Sequence, residues 1–148
     1  MTGAVKRNWQ GLKAHGRNAL RQHLLSVAER AASRHGPHWD GAALAAVLDD
    51  REVVRFPTTV AFEARGLTPG TFGRTVWAED LRRCTLHVHP HFQGHPELPL
   101  LVLYLVPTIS YGRMPTADDC LAFGAMALGL HEDEYHARLC ALTDAAAL

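Results

Sequence analysis

From Arg7 to Arg34 the apolar residues Trp9, Leu12, Leu20, Leu24, Val27 and Ala31 recur at helical spacing with no proline between them. That periodicity predicts one long helix with an apolar stripe turned to the core. Gly11 and Gly16 each weaken its first turns by about 1 kcal/mol relative to alanine, so the N-terminal part is expected to fray or bend. HGP at 35–37 ends it, with Gly36 suited to a left-handed C-cap and Pro37 unable to continue the helix.

Asp40 before GAALAAVL predicts a short helix with an acidic N-cap. The period then changes. VVRFPTTVAFEA (53–64) is rich in β-branched and aromatic residues, and GLTPG (66–70) is a turn cluster. FGRTVWAED (72–80) therefore reads as the hairpin partner of the first run, with Pro57 placing that run at a sheet edge or bulge. RCTLHVHPHF, after a charged step at Asp80–Arg83, reads as a third strand.

PELPLLVLYLV is apolar on nearly all sides, as expected of a helix buried in the middle of a domain, and Pro107 is expected to kink or end it. Thr116 with Asp119 three residues on has the form of a capping box opening a helix that stops near Gly129. A last helix is expected from Glu132, whose neighbours Asp133 and Glu134 suit the positive end of a helix dipole. The fold expected is α+β, one domain over 1–148. A small antiparallel or mixed sheet packs against a long N-terminal helix and a buried central helix, and the C-terminal part is helical.

Composition narrows the class. Hydrophobic residues make up 47% and charged residues 20%, values of a globular chain and not of a disordered one. Three widely spaced cysteines (Cys84, Cys120, Cys140) with no CxxC pair indicate neither a disulfide framework nor a thiolate zinc knuckle, which fits a reducing cytoplasm. MTGAVKRNWQ has no apolar run of signal-peptide length, and LPLLVLYLV spans nine residues where a membrane helix needs about twenty, so no membrane partner is expected.

The net charge of zero conceals an asymmetry, because residues 1–38 carry seven Lys/Arg and one acid. Lys6, Lys13, Arg17 and Arg21 fall within about 80° on a helical wheel. Such a stripe either contacts nucleic acid weakly or docks the helix on an acidic body. The sequence pI near 7.2 and the lack of a helix-turn-helix or aromatic-interleaved signature argue against a dedicated nucleic-acid binder.

Four histidines (His87, His89, His91, His95) fall within LHVHPHFQGH. If 84–92 is one strand, His87, His89 and His91 share a face, with successive side chains roughly 6.5–7 Å apart. Neighbours could then share zinc or another divalent metal, completed by an acid such as Glu63, Glu79 or Glu97. Ten histidines in the chain also make exposed, metal-free histidines expected. Without ligands on the following helix no tightly bound catalytic zinc and no other cofactor is expected; the alternative left open is a weakly bound zinc or other divalent ion. HEDEYH at 131–136 sets its histidines about 500° apart around a helix, so they do not share a face and read as a helix N-terminus. Cys120 and Cys140 fall on apolar helix positions and read as buried structural thiols.

The order of long helix, strands, then TLHVHPHFQGHPELPLLVLYLVPTISYG and further helices resembles the small zincin-like, SprT-type metallopeptidase arrangement over about residues 50–112. In that family an edge strand leads through a short loop into a buried helix carrying HExxH. The resemblance implies a zincin-like fold, and the motif's position falls on YLVPT (104–108) or TISYG (108–112). Neither holds a histidine or glutamate, and HExxH needs two imidazoles for zinc and a carboxylate to polarise water. Three functions follow as expectations: a non-catalytic binding or interaction protein on a degenerate zincin-like scaffold, its partner unspecified or a second copy; a metal-dependent hydrolase using His87, His89 and His91; and weak nucleic-acid binding through the basic helix.

Overall fold

Helix α1 (Thr2–His35) is the longest element of the chain. The structure, a computed structural model, describes the backbone of residues 2–148 and the side chains from His15 onward, so Trp9 and Leu12 of the expected stripe lie outside the described side chains. Of the remainder of the stripe, Leu24, Val27 and Ala31 are buried, joined by Ala28, and Leu20 is half-buried against them. Gly36 closes the helix through its N–H on the Ala32 carbonyl at 3.0 Å, but without the left-handed conformation expected of it. Its value is space, because a Cβ would stand 2.9 Å from the Ala32 oxygen and 3.2 Å from Trp39 Nε1. Helix α2 (Gly41–Asp49) is capped by the Asp40 carboxylate, which accepts from Ala43 N–H at 2.8 Å.

Strands β1 (Thr58–Phe62), β2 (Gly73–Trp77) and β3 (Cys84–Val88) form a sheet in the order β1-β3-β2. β3 is central, parallel to β1 and antiparallel to β2. The expected hairpin between the first two runs is therefore not formed. The hairpin is β2–β3, whose short connection is closed by Ala78 N–H on Arg83 O and Leu81 N–H on Ala78 O, both at 2.9 Å. The GLTPG cluster lies in the longer excursion from β1 to β2, and a tight turn there does not by itself pair its flanking strands. β1 is an edge strand, as Pro57 implied; the Pro57 carbonyl accepts from Cys84 N–H at 2.9 Å.

Along β3, Cys84, Leu86 and Val88 are buried while Thr85 and His87 face the other way, the alternation of a half-buried strand. The buried face packs on α3 (Leu98–Tyr111), where Leu100 is 6% exposed and Leu101 and Leu103 are 0% exposed. Gly73 permits the closest approach, since a Cβ there would lie 3.0 Å from Leu105 Cδ1. Of the two outcomes expected of Pro107, a kink or an end, the end does not occur; the helix runs four residues past it. Buried Val106 and Ile109 on either side of the proline hold the helical path where the Leu103 carbonyl loses its usual N–H partner.

Helix α4 (Ala117–Leu128) opens with the expected reciprocal capping box between Thr116 and Asp119 and ends at Gly129 in the left-handed region, φ 70°. Helix α5 (Glu132–Ala145) buries Tyr135 completely. Its hydroxyl donates to the Leu100 carbonyl at 2.5 Å, and its ring fills the space over Gly124, where a Cβ would stand 2.4 Å away. One hydrophobic cluster joins all five helices to the sheet, and no helix among the described residues is long and apolar enough to cross a membrane. The architecture is α+β with a small mixed sheet and a helical C-terminal part.

Candidate functional site

The histidine stretch is not one strand face. β3 ends at Val88, and Pro90–Phe92 form a single 3-10 turn, because Pro90 has no N–H to continue the sheet ladder. His87 alone is on the strand, on the face away from the core, opposite Arg74 of β2 and Ala61 of β1. Its Nδ1 is buried with no hydrogen-bond partner among the described residues. His89 Nδ1 accepts from His91 N–H at 3.1 Å and so caps the 3-10 turn. His91 is exposed and meets the Phe92 ring edge-on at 5.1 Å between centroids. His95 Nδ1 accepts from Glu97 N–H at 3.0 Å. Two of the four imidazoles thus satisfy backbone donors at a change of chain direction.

Of the acids considered as completing ligands, two are engaged elsewhere. Glu97 pairs with Arg138 at 2.6 Å, the Glu63 carboxylate accepts from Arg65 N–H at 2.9 Å, and Glu79 is exposed near the β2–β3 turn. Among the described residues no three His, Cys, Asp or Glu side chains gather as a metal set.

The α3 windows lie beside a cleft of about 200 Å³ between α1, α3 and the segment 51–55. Pro107, Ser110 and Tyr111 line it from α3, His23 from α1, and Arg51, Glu52 and Arg55 from the loop after α2. Ser110 is 7% exposed and its Oγ accepts from Arg55 N–H at 3.2 Å, which leaves its own hydroxyl proton free to donate. Tyr111 hydrogen-bonds His23 Nε2 across the cleft, the rings nearly perpendicular at 5.6 Å. Thr108 gives its proton to the Leu105 carbonyl at 2.5 Å, so in its 2.7 Å bond to Thr75 the Thr75 hydroxyl donates. The C-terminal half of α3 thus offers hydroxyls tied to β2, to α1 and to the 51–55 segment.

Charge at the cleft is lopsided. Glu52 forms an ion pair with Arg34, and Arg34 also reaches Asp50 at 3.2 Å. Desolvation pushes the Asp50 carboxyl up, but the His35 imidazole at 2.9 Å, the Glu52 N–H and Arg34 together hold it below its ordinary range. Arg51 Nη1 donates to the carbonyls of Leu48 and Val54, at 2.9 and 3.1 Å, and the Arg55 guanidinium stands over the Phe56 ring at 5.4 Å. Among the described residues neither arginine pairs with a carboxylate. Nothing in DDREVVR at 49–55 marks this segment as lining a cleft, and the spacing of His23 from Tyr111 in sequence hides their contact.

Of the basic stripe, Lys6 and Lys13 lie outside the described side chains. Arg17 is exposed, whereas Arg21 lies 3.5 Å from both Asp119 and Glu132 and docks the helix on acidic helix N-termini. His131 caps α5 through its Nδ1, which accepts from Asp133 N–H at 3.3 Å, as the HEDEYH spacing implied. Cys120 is buried as expected, but Cys140 is exposed, with its sulfur 3.7 Å from His136 Nε2 one turn earlier. Burial pushes the Cys84 thiol to about 11 and, with Asp119 adding, that of Cys120 to about 12.

Comparison of the chain with protein-family models, curated proteins and solved structures finds no match.

Proposed function

We propose that this protein is a non-catalytic binding protein on a degenerate zincin-like scaffold, and that the cleft beside the C-terminal half of α3 is its binding site. One observation carries this reading. The α3 hydroxyls that face the cleft, Ser110 and Tyr111, are bonded to Arg55 N–H and His23, from two different elements, so the groups facing the cleft brace the fold while the cleft stays open. A hydrolase of the family it resembles needs a water held between metal and carboxylate; the cleft has one imidazole, and its one carboxylate is engaged by Arg34. The dispersal of His87, His89 and His91 weighs against the metal-hydrolase alternative. The engagement of Arg21 by Asp119 and Glu132 weighs against nucleic acid as the target of the basic helix.

The test is metal analysis and peptidase assay of protein purified without a histidine tag, dialysed, and assayed with and without added zinc. The expected result is substoichiometric zinc and no cleavage. One zinc per chain, lost together with a hydrolytic activity in His87→Ala/His89→Ala, would overturn the reading.

A further inference from the structure

We infer that a second cleft is a covalent capture site, where the Cys140 thiol adds to a small, uncharged α,β-unsaturated carbonyl compound and His136 carries the proton. This cleft shares no lining residue with the one proposed above, and the inference does not rest on that reading. The first ground is the placement of nucleophile and base. His136, Leu139, Cys140 and Thr143 stand at i, i+3, i+4 and i+7 of α5, which puts them on one helix face, and all four line the cleft. That face is therefore the one turned to it. Cys140 and His136 are both exposed, with the sulfur 3.7 Å from Nε2 and 4.0 Å from Nδ1 of the imidazole. A thiol becomes a strong nucleophile once its proton has left, and an imidazole within hydrogen-bond reach takes that proton.

The second ground is the lining. Phe72 and Tyr104 meet edge to face at 5.6 Å and, with Leu121 and Leu139, form an apolar wall. Asp118 is the one carboxylate of the lining, and no lysine or arginine among the described residues joins it. An anionic compound is therefore disfavoured and an uncharged one fits. The volume is about 260 Å³; an apolar cavity of about 150 Å³ takes benzene, so a ring bearing a carbonyl group has room. The third ground is the chemistry this pair completes alone. Cys84 and Cys120 are buried, so no second thiol is at hand to close a disulfide, and addition to a conjugated alkene asks for none. In that addition the thiol proton passes to His136, the sulfur pair forms the S–C bond at the β-carbon, and the alkene π pair moves into an enolate. The enolate then takes the proton from His136 at its α-carbon. Thiol and alkene become one thioether, His136 ends as it began, and no oxidant or reductant enters. Capture is stoichiometric, which agrees with a non-catalytic protein.

The test is the rate of adduct formation by the untagged full chain with N-phenylmaleimide, an uncharged apolar probe, and with maleimidobutyric acid, a carboxylate-bearing one. Adducts are followed by intact mass and located by peptide mapping. One adduct per native chain is expected, on Cys140, with a rate that saturates as N-phenylmaleimide rises and stays proportional to concentration for the acid. His136→Gln should slow N-phenylmaleimide addition at least about tenfold, the loss of proton transfer by a positioned base. His38→Gln, an exposed histidine outside the cleft, should leave the rate unchanged, and in urea His136→Gln should react as wild type does. Circular dichroism establishes that His136→Gln is folded, and saturation on wild type needs no variant. An adduct on Cys84 or Cys120 of the native chain in place of Cys140, a rate that does not saturate with N-phenylmaleimide, or equal native rates for His136→Gln and wild type would each overturn the inference. None of these results bears on zinc content or cleavage, so failure here leaves the non-catalytic reading standing, and failure there leaves the adduct measurement to be judged alone.

Discussion

The buried thiol of Cys120 makes the stability of this protein fall at alkaline pH by an amount that can be worked in advance. The side chain is 3% exposed, and burial, aided by Asp119, pushes its thiol from 9.0 up to about 12. The folded chain therefore keeps a proton that the unfolded chain releases, so stability is level below about 9 and declines between the two values, in the direction linkage requires. At pH 10 the unfolded thiol is ionised about ten to one and the folded one hardly at all. The differential is then about 1.4 kcal/mol, set almost wholly by the unfolded value and insensitive to how high the folded one lies. Urea unfolding of wild type and Cys120→Ala at pH 7 and pH 10, in reductant, isolates it. The cavity left by the missing sulfur affects the variant equally at both pH values and cancels, and Cys84, Tyr104 and Tyr135, all raised by burial, contribute to both proteins. The variant should lose about 1.4 kcal/mol less than wild type between the two conditions. An equal loss in both proteins would refute the reasoning.

Asp50→Asn removes the anion held by His35, Arg34 and the Glu52 N–H and should cost about 1–2 kcal/mol at pH 7 by urea titration. Because the wild-type carboxyl is held below its ordinary 3.8, its contribution is present above that value and lost as the pH falls through it, so the variant should show a shallower acid decline. Gly124→Ala brings a methyl group within 2.4 Å of the Tyr135 ring; an overpacking cost of about 1–3 kcal/mol exceeds the helix-propensity gain of about 1 kcal/mol, and the melting temperature should drop. His131→Ala should cost about 0.5–1 kcal/mol through loss of the α5 cap while His131→Asn restores it, read from the urea midpoint. Ellman's reagent should label one thiol rapidly in the native protein, Cys140, and all three after unfolding, since Cys84 and Cys120 are buried.

The helices were legible because their evidence is local. Asp40, Thr116 with Asp119, and Gly129 each carry a terminus in the residue itself, and the apolar run 98–106 leaves no exposed side on which a polar residue could sit. Strand pairing was not legible. The GLTPG cluster promised a tight turn, but register is decided by which runs can meet edge to edge, and Val60 and Phe62 find β3 rather than β2. The histidine face failed at Pro90 for a related reason: alternation along a strand persists only while the ladder does. Of the cleft, the sequence marked the α3 window. His23, Arg51 and Arg55 were beyond it, since their lining of one cleft with Tyr111 and Ser110 depends on the docking of α1 and of the loop after α2.

The position of β3 in the middle of the sheet also sets an order of assembly. Trp77 faces Cys84 across a connection of a few residues, a closure of the kind that takes microseconds. Thr58 must instead find Cys84, 26 positions further along the chain, and in parallel sense, where no turn helps and the entropy of the longer loop opposes the encounter. β1 therefore joins a hairpin that already exists. During synthesis it leaves the ribosome before either partner, so the first strand made is the last one paired.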